Sequence, residues 1–129
     1  MTQKSNHPLE PLSAAELAQA VDILRNAERI TPTTRIVSIS LKEPPKQAVY
    51  SPSSKPAARE AHAVLFDNGS NRCFEGELSL DQGKITAWKE IPGVQPTMTV
   101  DEQVECEQAV LTSDEFKAAL KRQYGIDDT

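Results

Sequence analysis

The stretch QGKITAWKEIPGVQPTMTVDEQ, residues 82–103, holds the only tryptophan of the chain, Trp88. It reads as a strand over Ile85 to Ile91, then the turn and proline signals Pro92-Gly93-Val94-Gln95-Pro96, then a capped helix start at Thr99. On its N-terminal side the apolar residues alternate with period two, and on its C-terminal side they follow helical spacing. The stretch is therefore read as a joint between two differently patterned segments.

Upstream, Leu12-Ser13-Ala14-Ala15-Glu16-Leu17 is a strong helix start. Ser13 can accept from the amide of Glu16 while the Glu16 carboxylate reaches back to the Ser13 amide, and Leu12 and Leu17 form the matching hydrophobic staple. Leu17, Ala20, Val21, Leu24 and Ala27 continue one apolar stripe, and Thr31-Pro32 is the expected stop. Val37, Ile39 and Leu41 then alternate with Ser38, Ser40 and Lys42 as a half-buried strand. A proline- and serine-bearing connection over residues 46–59 follows, in which Val49 and Tyr50 are expected to add a short edge strand. Arg59 to Asp67 forms the next strand, with Ala63 and Leu65 on one side and His62, Val64 and Phe66 on the other. Asp67-Asn68-Gly69-Ser70-Asn71 turns it into a hairpin. Phe74, Gly76, Leu78 and Leu80 alternate with Glu75, Glu77 and Ser79, and Asp81-Gln82-Gly83-Lys84 leads into the Trp88 strand. One helix and a four-stranded antiparallel sheet make a complete α+β fold.

Downstream, Thr99-Val100-Asp101-Glu102 is a second capping box, and Val100, Val104 and Val110 give that helix a thin apolar stripe. Thr112-Ser113-Asp114-Glu115 opens a last helix, lined by Phe116, Ala119, Leu120 and Tyr124 and closed by Gly125. No sheet follows for these two helices to pack on. The predicted organisation is a flexible lead-in over 1–11, an α+β domain over 12–92, a linker over 93–98, and the truncated start of a further domain over 99–129.

Composition narrows the function. The 129 residues are 38% hydrophobic and only 5% aromatic, so the core rests on aliphatic side chains, and the net charge is −5 with no block of like charges. Nucleic-acid binding needs clustered Lys and Arg, and membrane attachment a polybasic patch or a span of roughly 20 apolar residues; neither is present. The first residues lack an apolar signal-peptide core, which predicts an intracellular, cytoplasmic protein. Two cysteines, Cys73 and Cys106, do not form a disulfide framework and are read as free thiols.

The candidates for chemistry are few. His7 and His62 are the only histidines, whereas a metal site wants three or four converging ligands. A Cys73–His62 nucleophile pair on adjacent strands is conceivable, but nothing orients it or supplies an oxyanion hole. Glu75 and Glu77 share a strand face and mimic an acid–base pair, although two carboxylates on a polar sheet face are more simply solvated. Gly69, Gly76 and Gly83 are turn or strand glycines and make no phosphate loop. Trp88 reads better as a packed sheet residue than as a binding platform. No catalytic, cofactor-binding or metal residue is predicted.

Several segments, in order, resemble copper-containing primary-amine oxidases. His7-Pro8-Leu9-Glu10-Pro11-Leu12-Ser13 resembles the start of that family's second amino-terminal domain. Leu41-Lys42-Glu43-Pro44-Pro45-Lys46, Arg59-Glu60-Ala61, and Trp88 with Ile91-Pro92-Gly93-Val94-Gln95-Pro96 are similar to its strand boundaries and exit. Glu102, Glu107, Ala118 to Arg122 and Gly125-Ile126 are similar to the opening of its third domain. The resemblance implies a parent enzyme that oxidises primary amines to aldehydes with oxygen, releasing ammonia and hydrogen peroxide. It implies copper held by three histidines, an aspartate base, and topaquinone formed from the tyrosine of an Asn-Tyr-Asp/Glu motif, all in a carboxy-terminal domain. Tyr50 and Tyr124 do not match that motif, so no functional residue carries over. Implied partners are the rest of the polypeptide and a second copy in a homodimer, with the amino-terminal domains bordering the route to the active site. The alternative is a stand-alone binding or inhibitory module, since a helix against an antiparallel sheet is also the cystatin-like architecture. Gly76 and Gly93, however, do not sit in the Gln-Val-x-x-Gly loop of those inhibitors.

Overall fold

A computed structural model describes residues 7–50 and 58–127. The element order is α1 (Ala14–Asn26), β1 (Thr34–Leu41), α2 (Lys46–Tyr50), β2 (Glu60–Asp67), β3 (Arg72–Ser79), β4 (Lys84–Ile91), α3 (Val100–Thr112) and α4 (Asp114–Tyr124). The four strands form one antiparallel sheet in the order β1-β2-β3-β4.

Helix α1 begins as its sequence dictates. The Ser13 amide donates to Glu16 Oε2 at 2.8 Å and the Glu16 amide donates to Ser13 Oγ at 3.3 Å, which satisfies two of the free donors of the first turn. Its end differs from the expectation placed on Thr31-Pro32. The helix stops at Asn26, and Glu28 adopts a left-handed φ of 56°. The amides of Glu28 and Arg29 then donate back to the carbonyls of Arg25 and Leu24 at 3.0 and 2.9 Å, closing the helix as left-handed C-terminal turns do. The buried face is also shifted by the helical period: Ala20, Ile23 and Leu24 are buried, Val21 is half-buried, and Leu17 and Ala27 are exposed.

The core lies between this face and the sheet. Ala20, Ile23 and Leu24 meet Ala61, Ala63, Leu65, Leu78 and Leu80, with Leu12, Ile30, Ile36, Ile39, Ile85 and Trp88 packed around them. Alternation along β2 puts Ala61, Ala63 and Leu65 on this face. The small alanines let α1 approach, and Gln19 Nε2 reaches across to donate to the Leu80 carbonyl at 2.7 Å.

Strand β1 departs from strict alternation. Ile36 pairs with Leu65 and Ser38 with Val64, so Val37 is left over as a bulge. Ile36 and Ile39 therefore both pack on the core although three residues apart. A second irregularity leaves Thr86 unpaired in β4, where its hydroxyl donates to the Glu77 carbonyl at 3.2 Å. Both edge strands are thus irregular, a known means of discouraging edge-to-edge pairing. Val49 and Tyr50 do not add an edge strand; they end the short helix α2, in which no proline interrupts residues 46–50. The rest of that expected connection, residues 51–57, lies outside the described residues.

Trp88 lies opposite Gly76 in the β3–β4 ladder. A Cβ at Gly76 would come within 2.9 Å of the indole, so only glycine leaves room for the ring there. The indole stacks on Phe74 with centroids 5.4 Å apart, and the Arg29 guanidinium sits 5.0 Å from its centroid. The half-buried Trp88 is thus a packed residue of the sheet.

The chain separates into two compact units, Met1–Pro96 and Thr97–Thr129. In the second, the Thr99 amide donates to Glu102 Oε2 at 2.7 Å and the Glu102 amide to Thr99 Oγ1 at 3.3 Å. Ser113 ends α3 and caps α4, and Gly125 closes α4 at φ 67°. No residue of either helix is buried, and the expected stripe of Val100, Val104 and Val110 is exposed, Val100 by 73%. Phe116, Ala119 and Leu120 are half-buried, while Tyr124 is exposed.

Candidate functional site

The sheet face turned away from α1 carries the polar candidates. Register places His62 between Ser40 of β1 and Glu77 of β3, and Glu75 between Val64 and Lys89. Lys42 Nζ donates to Glu77 Oε2 at 2.6 Å and lies 3.4 Å from Glu60 Oε2. The Glu77 hydrogen bond is the main cause that raises the Lys42 pKa above its ordinary value. Lys42 therefore stays a cation between two carboxylates, which suits it to hold strand ends together and not to accept a proton.

The same register separates the conceivable nucleophile pair. Cys73 stands opposite Phe66, four residues along β2 from His62. At about 3.3 Å per residue that is a separation of roughly 13 Å, far beyond hydrogen-bond reach. Cys73 is buried, and burial, with the nearby Glu75 charge second, pushes its thiol pKa upward. A thiol so placed is a poor nucleophile. Glu75 and Glu77 do not act as a pair either, because Glu77 is engaged by Lys42 while Glu75 is exposed beside Lys89.

The remaining candidates do not converge. His7 Nδ1 accepts from the Leu9 amide at 3.1 Å, and Cys106 is exposed on α3. Among the described residues, no three His, Cys, Asp or Glu side chains are grouped so as to hold a metal ion. No helix among them is long and apolar enough to cross a membrane.

The most developed polar feature lies at the start of the domain, and its partners are far apart in sequence. Arg59 donates through Nε to Glu16 Oε1 at 2.8 Å and through Nη2 to Glu16 Oε2 at 3.1 Å. Two further donors, on Nη1 and Nη2, reach the Glu10 and Pro11 carbonyls at 2.9 and 3.2 Å. The two side chains are only 14% and 18% exposed. The two-pronged pairing with Arg59 is the first cause holding the Glu16 carboxyl down at about 2, and Ser13 adds further hydrogen bonds. This clamp fixes the entry of α1 to the start of β2, engaging four of the five guanidinium N–H donors and both Glu16 carboxylate oxygens, so it is structural. Sequence reading found Glu16 only as a cap and Arg59 only as a strand opening.

One open groove of about 380 Å³ lies beside the clamp, walled by Leu9, Leu12, Leu17, Ile39 and Leu41, with Glu43 as its charged group. It lacks the convergent polar groups that orient a small ligand.

Comparison with known proteins agrees with a domain of this kind. Residues 7–91 match the family model described as copper amine oxidase, N2 domain. A primary amine oxidase and a copper methylamine oxidase of Arthrobacter sp. (strain P1) are each 38% identical over 118 residues, covering 91% of this chain and 18% of the relative. A primary amine oxidase of Klebsiella aerogenes is 36% identical over 130 residues, covering 98% of this chain and 17% of the relative. The chain thus spans about a fifth or less of the length of the curated relatives it matches. An α+β unit of one helix on four antiparallel strands, matched over the residues that form it, belongs to the copper amine oxidase N2 domain family.

Proposed function

We propose that this chain is the amino-terminal, non-catalytic region of a copper- and topaquinone-dependent primary-amine oxidase. Residues 12–92 form its α+β domain, 93–98 a linker, and 99–129 the first two helices of a further domain. The full-length form converts primary amines to aldehydes and releases ammonia and hydrogen peroxide. This chain contributes scaffold, and its partners are the rest of the polypeptide and the second copy of a homodimer.

The observation that carries the reading is the extent of the match: similarity covers 98% of this chain yet only 17% of the Klebsiella aerogenes relative. The residues present support the division of labour. With His7 and His62 the only histidines, a three-histidine copper site does not fit. Tyr50 follows Val49 and Tyr124 follows Gln123, so neither tyrosine stands in a quinone-forming motif. The second unit points the same way. Its two helices bury no side chain, and helices of this length draw their stability from packing an apolar face.

The chain alone, given copper, oxygen and methylamine, is expected to produce no hydrogen peroxide and to give no quinone stain. Amine-dependent peroxide that is abolished by His62→Ala or Cys73→Ala would overturn the non-catalytic assignment.

A further inference from the structure

The β2–β3 hairpin carries chemistry that its structural role does not use. Asn68 and Gly69 are both exposed at its tip. The Asn68 amide is anchored, donating to the Thr33 carbonyl at 3.0 Å, but its side chain makes no hydrogen bond among the described residues. The Gly69 amide has one long contact, 3.4 Å to Asp67 Oδ1, at the limit of a hydrogen bond. A Cβ at Gly69 would fall 2.7 Å from Thr33 Oγ1, so the packing of the turn against Thr33 calls for glycine there. The fold therefore presents an unbonded side-chain amide next to a weakly held amide on a residue without a side chain.

We propose that Asn68–Gly69 is a site of spontaneous deamidation and isomerisation in the folded protein. The Gly69 backbone nitrogen gives its proton to solvent hydroxide and bonds to Asn68 Cγ. The Cγ–Nδ2 bond breaks, the leaving nitrogen takes up a proton and departs as ammonia, and a five-membered imide remains. Water adds to either imide carbonyl and breaks that C–N bond, giving aspartate or isoaspartate; the net change consumes one water and releases one ammonia. The other described asparagines lack this combination. Asn26 is followed by Ala27, whose amide donates to the Ile23 carbonyl at 3.1 Å, and Asn71 by Arg72 at the start of the β3 ladder.

The product places a second carboxylate beside that of Asp67, whose pKa the Ser70 and Thr33 hydrogen bonds lower to about 2. Isoaspartate also lengthens the backbone by one methylene between the Asn68–Thr33 anchor and Gly69. Ageing at this turn thus loosens the clasp between the start of β1 and the β2–β3 hairpin.

The test is to incubate the full chain, folded and in urea, in mildly alkaline buffer, and to map peptides by mass with isoaspartyl methyltransferase labelling. Exposed turns open at little free-energy cost, so the folded chain is expected to react at residue 68 within about tenfold of the rate in urea. Asn26 and Asn71 are expected to stay intact over the same interval, and Asn68→Gln to remove the signal. A folded-state rate slower than that tenfold window, or a signal that persists in Asn68→Gln, would overturn the proposal.

Discussion

Replacing Leu65 with alanine is expected to lower the unfolding free energy by about 2–5 kcal/mol, the range for deleting a fully buried leucine side chain. Leu65 is completely buried on an interior strand, under α1 and among Leu24, Leu78 and the sheet alanines. The neighbours that line it are themselves small or fixed in the sheet, so the cavity cannot collapse fully. Domains of this size hold only about 5–15 kcal/mol in total, so the loss is a large fraction of the whole. A urea titration checks it: the midpoint should fall sharply while the slope stays the same. Leu17→Ala, at a position 36% exposed, is the control and should cost far less. Equal effects at the two positions would mean that the core has been assigned to the wrong face of α1.

The next largest effect is expected at Arg59. Arg59→Met removes all four donor contacts of the clamp and leaves the Glu16 carboxylate in a site where it is 18% exposed. Breaking a fully buried pair costs about 3–5 kcal/mol; with some solvent reaching this one, about 2–3 kcal/mol is expected. Arg59→Lys should recover only part of it, because an ammonium cannot pair in the two-pronged geometry. The pH dependence identifies the cause. Glu16 is depressed from 4.5 to about 2, so its contribution is fully present above pH 4.5 and is lost as pH falls towards 2. Wild type should therefore lose stability across that window more steeply than Arg59→Met. A residual slope should remain in the variant, since Asp67, depressed from 3.8 to about 2, acts in the same direction.

The features legible in the sequence were those with a local cause. The capping boxes at Ser13 and Thr99 were readable because the residues that satisfy the free amides stand within one turn. The β2–β3 hairpin was readable from residues that tolerate a left-handed backbone, and Asn71 does take φ 55°. Features set by distant partners were not. The bulges at Val37 and Thr86 arise when β1 and β4 adjust to their neighbours, which shifts the core position from Val37 to Ile36. The end of α1 depends on a glutamate in the left-handed region, which residue type alone disfavours. The Arg59–Glu16 clamp joins residues far apart in the chain and leaves no local pattern. At the candidate site, shared strand faces were readable, but the distance between His62 and Cys73 required the strand register.

The most direct test of the central claim is the size of the native product, detected with an antibody raised to residues 12–92 in the cells that make it, and assayed after capture for amine-dependent hydrogen peroxide. A chain roughly five to six times as long as the aligned segment, as in the relatives, producing peroxide that is lost on copper chelation, is the predicted result. A single species of 14.2 kDa with no such activity would contradict the account.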